Sequence, residues 1–357
     1  MEIGIVGLPN VGKSTLFNAL TGARAAAENF PFTTIEPNIG IVPLPDERLT
    51  RLAEEFHSHK VTPAGIRFVD IAGLVKGASQ GEGLGNQFLS YIRGVDAIAH
   101  VIRCFSDDNV ANVMNTLDPL NAVEIIETEL LLADIQQCQK AIERVAKPAK
   151  SGDKEAKEKL SILEEVLKGF NDGKPARRQR LAMDIISEFQ FLTAKPLLYV
   201  ANTDEGEVDP NLIEPLQKRS QQEGAQVVML CTKLEAEIVQ LPLEERAVYY
   251  ESVGITSPGL ARLAKAGQEL LKLICFFTVN PQEAHAWLIP RATKAIKAAG
   301  RIHSDMERGF IRAEIYKFDD LVKLGSYKAL QENNRISLEG KDYEIKDGDV
   351  AYFRFNV

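Results

Sequence analysis

The chain has 357 residues, 45% hydrophobic and 26% charged, with a formal net charge of −8. That is ordinary for a water-soluble globular protein of two or three domains, and it excludes a molecule coated in basic surface. No apolar run is long enough to span a bilayer, and the chain runs straight into a strand, so a cytoplasmic protein with no membrane partner is expected. Cys104, Cys138, Cys231 and Cys275 lie far apart without a C-x-x-C, the pattern of reduced, mostly buried thiols.

The first element is MEIGIVG, an apolar, β-rich run. GLPNVGKST at 7–15 follows, then LFNALTG, which reads as a helix. Strand, G-x-x-x-x-G-K-S and helix in that order make a phosphate-binding loop. Asn10, Val11, Gly12, Lys13, Ser14 and Thr15 are expected around the phosphates. Backbone N–H groups would close on the oxygens, Lys13 would supply a cation, and the Ser14 hydroxyl would ligate Mg²⁺. FPFTTIEPNIG at 30–40 reads as a switch loop, with Thr34 (or its neighbour Thr33) as a further Mg²⁺ ligand. The strand IRFVD then ends in Asp70, expected near Mg²⁺ through water. In DIAGL, Gly73 would offer its N–H to the γ-phosphate. The glycine-rich run VKGASQGEGLGNQ suggests a second, mobile switch.

Apolar runs at 2–6, 66–71, 96–103, 196–201 and 225–230 read as buried parallel strands, and helical patterns at 13–21, 85–93 and 211–222 follow several of them. The stretch from about 118 to 190 is too long for one crossover helix. LNAVEIIETELLLADIQQCQKAIERVAK, a polar break at PAKSGD, and KEAKEKLSILEEVLKGF predict an antiparallel helical pair inserted in the sheet domain, with NDGKPARRQR as its basic return. The pattern changes near 276. A helix at 293–299 and short strands ISL, DYEI and VAYFRF predict a compact α+β domain. The division expected is therefore 1–275 and 276–357.

GLPNVGKST, FPFTTIEPNIG and DIAGLVKGASQGEGLGNQFL together resemble the Obg-related P-loop NTPases, and more narrowly the YchF group of Obg-like ATPases, over nearly the whole chain. The resemblance implies an α/β fold: a Ras-like P-loop domain with an inserted coiled-coil hairpin, and a C-terminal β-grasp domain of the TGS type. Where GTPases carry N-K-x-D after a strand, this chain has Asn202-Thr203-Asp204-Glu205. A site stripped of the Asp that clamps guanine loses its main reason to reject adenine. The N-x-x-E form is similar to the YchF pattern, which implies ATP as substrate with GTP weaker. The alternative is that Asp204 takes the clamp's role after a one-residue shift and GTP wins. Cys231 and Thr232, in CTK, resemble the loop whose backbone contacts the base.

In Ras-like enzymes a Gln after D-x-x-G orients the attacking water. Here that position is Leu74, so slow turnover stimulated by a partner is implied. Lys13, Gly73 and Leu74 are thus the candidates nearest the chemistry. Asn10 matches a position that in some related GTPases helps hold K⁺. Residues 285–321 resemble a TGS domain, which implies contact with the ribosome or structured RNA.

Two basic zones fit that expectation or a plain solvated face. Residues 140–180 hold twelve Lys/Arg against seven Asp/Glu, and 291–317 hold seven against three. Arg177, Arg178, Arg180, Arg291, Lys294, Lys297 and Arg301 are the candidate RNA contacts. Trp287, Phe310 and Tyr316 are candidate stacking surfaces, though such residues more often belong to a core. The five histidines form no metal set, and nothing demands a dimer, so a monomer is expected. Three readings stand at this point: a regulated ATPase of the translation machinery, a GTPase of the same fold, and an RNA or ribosome adaptor with a regulatory nucleotide site.

Overall fold

The computed structural model describes residues 1–25, 38–71, 84–107, 117–179, 188–206 and 208–356. The chain divides into two compact units. The first is Met1–Gly22, Pro37–Gly40 and Arg67–Ala266; the second is Ala23–Glu36, Ile41–Ile66 and Gly267–Val357. No helix among the described residues is long and apolar enough to cross a membrane.

The first unit is built on a six-stranded sheet in the order β2-β4-β1-β5-β6-β7. These strands are β1 (Glu2–Val6), β2 (Ile39–Pro43), β4 (Gly65–Asp70), β5 (Ala97–Cys104), β6 (Leu197–Thr203) and β7 (Gln226–Leu230). Strand β1 lies parallel between β4 and β5, and β5, β6 and β7 continue in parallel. Strands β5 and β6 are buried almost throughout, as near-continuous apolar runs require when both sheet faces are covered. Connecting helices include α1 (Lys13–Ala25), α3 (Leu84–Gly94), α6 (Pro210–Glu223) and α7 (Thr232–Ile238). The order reverses on either side of β1, and ligands of such sheets bind at that switch point, beyond the strands' carboxyl ends.

Between β5 and β6 the inserted helices α4 (Pro119–Lys150) and α5 (Lys154–Asn171) form an antiparallel hairpin. Asp118 and Asp153 cap their first turns, and Gly152 turns the chain at φ +98°. Pro148 sits within the last turn of α4, so the break falls at 151–153 rather than across the whole of PAKSGD. Cys138 and Ala141 meet Leu163, Val166 and Phe170 in the hairpin core, which also takes in Phe189 and Phe191. At its base the buried Asp134 carboxylate accepts Leu192 N–H and Thr193 N–H at 2.8 Å and the Thr193 hydroxyl at 2.7 Å.

The second unit holds another six-stranded sheet, in the order β11-β10-β12-β8-β9-β3. Its strands are β3 (Lys60–Thr62), β8 (Leu273–Val279), β9 (Glu283–Pro290), β10 (Phe310–Lys317), β11 (Ser337–Glu339) and β12 (Asp349–Phe355). One face packs with α10 (Ala295–Ile302) and α11 (Ser304–Arg308). The other packs with α2 (Glu47–Glu55), α12 (Phe318–Leu324) and α13 (Tyr327–Glu332). This unit is not delimited by a single cut near 275. Strand β3 pairs in parallel with β9, and Leu49, Leu52 and Ala53 of α2 share a core with Cys275 and Phe277. Arg48 adds a link, donating to Asp46 and to Asp347 at 2.7 Å, with its guanidinium 5.1 Å from the Phe277 ring centre.

DYEI forms no strand. Its backbone is spent on the segment before α10, where Ala295 N–H donates to Tyr343 O at 2.7 Å and Ile345 N–H to Thr293 O at 3.0 Å. The helix expected at 293–299 runs from Ala295 to Ile302 instead, because Lys294 is extended and serves as its N-cap.

His100, on β5, is 2% exposed, and its Nε2 has no hydrogen-bond partner among the described residues. Burial, helped by the nearby Arg177 cation, drives its pKa down to about 3. The unfolded chain takes up a proton below about pH 6.5 that the folded chain refuses, so stability falls as pH drops from there toward 3. Urea unfolding should show His100→Leu losing about 2 kcal/mol less than wild type between pH 7 and pH 5.

Candidate functional site

A cleft of about 830 Å³ opens at the carboxyl ends of β1, β5, β6 and β7. Its walls come from four loops: 8–15 after β1, 105–107 after β5, 202–205 closing β6, and 231–233 opening α7. Asn10, Gly12, Lys13, Ser14, Thr15, Asn202, Glu205, Cys231 and Thr232 all line it, so residues far apart in sequence converge on one cleft. Val11 is buried beneath the loop, contributing its backbone.

The loop after β1 turns through left-handed backbone at Asn10 (φ 64°) and Gly12 (φ 92°). Asn tolerates this region. Gly12 is needed for a second reason: a Cβ there would lie 2.2 Å from Asn202 Nδ2 and 3.0 Å from Thr232 Oγ1. The chain then enters α1, whose first turn carries no acidic residue and presents unpaired N–H groups, a ready anion site. Lys13 Nζ pairs with Asp70 Oδ1 at 2.5 Å, with side-chain exposures of 13% and 22%. Lys13 and the carboxylate that ends β4 therefore stand side by side. Ser14 is exposed in the first turn of α1. A hydroxyl and a carboxylate are hard oxygen donors, a set that suits Mg²⁺, which takes its remaining ligands from substrate phosphates and water.

Asn202 holds the cleft together. It is 3% exposed; its Nδ2 donates to Val11 O at 2.9 Å and its Oδ1 accepts Thr232 N–H at 3.0 Å. The amide thus ties the phosphate loop to the loop expected to flank the base. Thr203 is buried, while Asp204 and Glu205 are exposed at the rim. Asp204 Oδ2 accepts Ser106 N–H at 3.1 Å. The Cys231 thiol is pushed up first by burial and then by the Glu205 and Asp204 carboxylates, against the N–H groups of Leu234 and Lys233.

Sequence reasoning missed Phe105 and Asp107. They follow β5, and position at the carboxyl end of a parallel strand was the available signal. Arg103 shapes this segment, donating to Phe105 O at 3.2 Å and Asp107 O at 3.1 Å while its guanidinium sits 4.4 Å from the Phe105 ring centre. Thr33, Thr34, Gly73, Leu74 and Arg180 lie outside the described residues.

The basic candidates divide. Arg177 is not surface charge. It is 12% exposed and pairs with Glu127 and, at 3.2 Å, with the fully buried Glu223 side chain. Arg219 bonds the same two carboxylates, and Tyr199 donates to Glu223 at 2.9 Å. Arg178 is exposed. In the second unit Arg291 and Arg301 are exposed, whereas Lys294 pairs with Asp342 at 2.8 Å and Lys297 with Glu307 at 2.6 Å. Tyr316 is buried, and Phe310 packs against the same core as Ala313. Trp287 stacks 3.7 Å from His285 and donates to Thr278 at 2.9 Å. All three aromatics therefore serve packing.

A parallel sheet whose first strand feeds a glycine-bearing loop, an anion-binding helix and a Lys beside a strand-end Asp defines a Ras-like P-loop NTPase. A family model described as a 50S ribosome-binding GTPase matches residues 2–143. A second, YchF-GTPase_C, described as a protein of unknown function (DUF933), matches residues 273–356. The ribosome-binding ATPase YchF of Haemophilus ducreyi is 49% identical over 360 residues, covering 100% of this chain and 99% of that protein. That of Bacillus subtilis is 48% identical over 364 residues, covering 100% of each. The structure of the Schizosaccharomyces pombe YchF GTPase matches with a TM-score of 0.88 at 33% identity, covering 99% of this chain and 97% of that one. A GTP-binding protein from Pyrococcus horikoshii shares the fold, with a TM-score of 0.62 at 21% identity over 100% of each chain. The chain belongs to the YchF family.

Replacing Asn202 with Ala removes both hydrogen bonds and leaves buried partners unsatisfied. It should cost about 2–3 kcal/mol of stability by urea unfolding and weaken nucleotide binding in titration calorimetry. Arg177→Met breaks a buried ion network. It should cost about 3–5 kcal/mol by the same assay and leave RNA binding unchanged.

Proposed function

We propose that this chain is a slow, partner-stimulated ATPase that works on the ribosome. Its relatives in Haemophilus and Bacillus carry the name ribosome-binding ATPase. The observation that carries the catalytic part is the convergence of Lys13, Ser14 and Asp70 under one cleft. Lys13 would swing from Asp70 to the outer phosphates, and N–H groups of the loop and of the first turn of α1 would hold the rest of the chain of phosphates. Mg²⁺, held by Ser14 and Thr34 directly and by Asp70 through water, would neutralise charge on the β- and γ-phosphate oxygens. Gly73 would donate its N–H to the γ-phosphate. Leu74 has no group to orient water, so turnover waits on a partner.

The preference for ATP rests on the base-facing rim. Glu205 stands where a guanine clamp would carry Asp, and Thr203 is buried rather than laid over the base as a Lys stem would be. Asp204 is engaged by Ser106 N–H, which weighs against its serving as a shifted clamp. Phe105 offers an apolar ring at the same rim. The GTPase reading keeps two supports: the family model over residues 2–143 and the fission-yeast relative are both described as GTPases. Asn10, in left-handed backbone at the cleft, is the residue that would help hold K⁺. We read the C-terminal module as a TGS-type β-grasp domain, supported by its mixed sheet with helices across it.

Phosphate release and nucleotide affinity should be measured with ATP and GTP, in K⁺ and in Na⁺, with and without ribosomes. Slow ATP turnover that rises with ribosomes and falls about 100-fold in Lys13→Ala is the expected result. Tighter binding and faster turnover of GTP would sink the ATP assignment. Equal rates in K⁺ and Na⁺ would remove Asn10 from the mechanism.

A further inference from the structure

In the second unit one face of the sheet is only half covered. Side chains alternate between faces along β10 and β12. Ala313, Ile315, Ala351 and Phe353 enter the core beside α10, while Tyr316 and Val350 enter the core beside α2, α12 and α13. Further along that second face the register sets Glu314 between Tyr352 on β12 and Leu338 on β11, and then Arg312 opposite Arg354. Among the described residues no helix covers them: Tyr352 is 56% exposed, Leu338 62% and the Arg354 side chain 49%. A register irregularity between Phe310 and Arg312 leaves Ile311 60% exposed next to them.

The chemistry of this bare end is specific. Two arginines directly opposite on antiparallel strands repel and weaken the sheet that carries them. Arg354 is partly compensated: its Nε donates to Glu314 at 2.7 Å and its guanidinium lies 5.1 Å from the Tyr352 ring centre. Arg312 is exposed and has no carboxylate within ion-pair distance among the described residues. A partner bearing phosphates relieves the repulsion, and one bearing flat π-faces uses an exposed ring already backed by a guanidinium. An acidic protein would meet the charge and leave the ring bare. An apolar protein would bury Arg312 unpaired, which is costly. Unpaired nucleotides supply both chemistries together.

We propose that the outer end of β10–β11–β12 is a contact surface for single-stranded RNA, with Arg312 and Arg354 on phosphates, Tyr352 under a base, and Leu338 and Ile311 as an apolar flank. This deepens the ribosome reading, on which it rests for RNA as the partner in the cell. It differs from the row on and beside α10, where Lys294 and Lys297 already have carboxylate partners.

The test is fluorescence anisotropy of the full-length chain with a labelled twelve-nucleotide U-rich RNA and an RNA duplex of the same length. Wild type is compared with Arg312→Glu, Tyr352→Ser and Lys297→Glu, with thermal melts and ribosome co-sedimentation run alongside. The expected result is a loss of single-strand affinity of about tenfold in each of Arg312→Glu and Tyr352→Ser, little change in Lys297→Glu, and unchanged ATP affinity throughout. Should Tyr352→Ser melt early, Arg312→Glu decides, since that side chain is exposed. Unchanged single-strand affinity in folded Arg312→Glu overturns the proposal. So does an equal loss for duplex and single strand, which marks a plain phosphate patch, and so does loss of ribosome co-sedimentation with no oligonucleotide binding by wild type, which marks a protein contact. Oligonucleotide binding that depends on Arg312 without ribosome binding sustains the surface and overturns the ribosome reading instead.

Discussion

One buried amide organises the nucleotide cleft. Asn202 grips Val11 O with its nitrogen and Thr232 N–H with its oxygen, so a single planar group fixes the spacing of the glycine-bearing loop after β1 and the loop that opens α7. Both partners are backbone groups that would otherwise be left unpaired in a buried place, so the tie is costly to break. It also dictates what the loop is made of. Position 12 must be Gly because its backbone is left-handed and because the amide occupies the space of a Cβ. With the amide so occupied, the polar groups left at the rim of the cleft are those of Glu205, Cys231 and the 105–107 segment.

The electrostatics follow from where charges are buried rather than how many there are. Lys13 and Asp70 face each other on adjoining elements of the first unit, so the cation at the cleft has a local partner. A second set of charges sits beneath the hairpin: Arg177, Arg219, Glu127 and Glu223, with Tyr199 donating into it. It lies near the buried His100, whose neutrality is enforced by burial and by that same Arg177. Such a network fixes how the hairpin's return meets α6, but it offers little to an external polyanion. A basic stretch of sequence is thus not the same thing as a basic surface.

The second unit shows the same distinction in its aromatics. Trp287, Phe310 and Tyr316 pack inward, whereas Tyr352, Arg312 and Arg354 stay at the surface beyond the covering helices. The strand period of two made that sorting available in principle. Residues 310–317 alternate, but Arg312 and Glu314 share their face with Tyr316, so the face changes from solvent to core partway along one strand.

What the sequence alone determined is local or periodic. The phosphate loop is made of consecutive residues, so its spacing is written in one segment. The buried parallel strands are unbroken apolar runs, and the hairpin is Leu and Ile at helical spacing. Helix and strand boundaries moved by a few residues, for reasons visible in the caps. Tertiary structure alone decided the rest, because it depends on pairings between distant segments. KVT becomes a strand only because β9 lies beside it, while DYEI fails as one because its backbone is already bonded to residues 293–295. Arg177 is buried because Glu127 and Glu223 converge on it across 50 and 46 residues. Phe105 reaches the cleft because β5 ends where the phosphate loop begins. Composition names a side chain's chemistry, but only the register and the packing of distant elements determine whether that chemistry faces a ligand, a partner or the core.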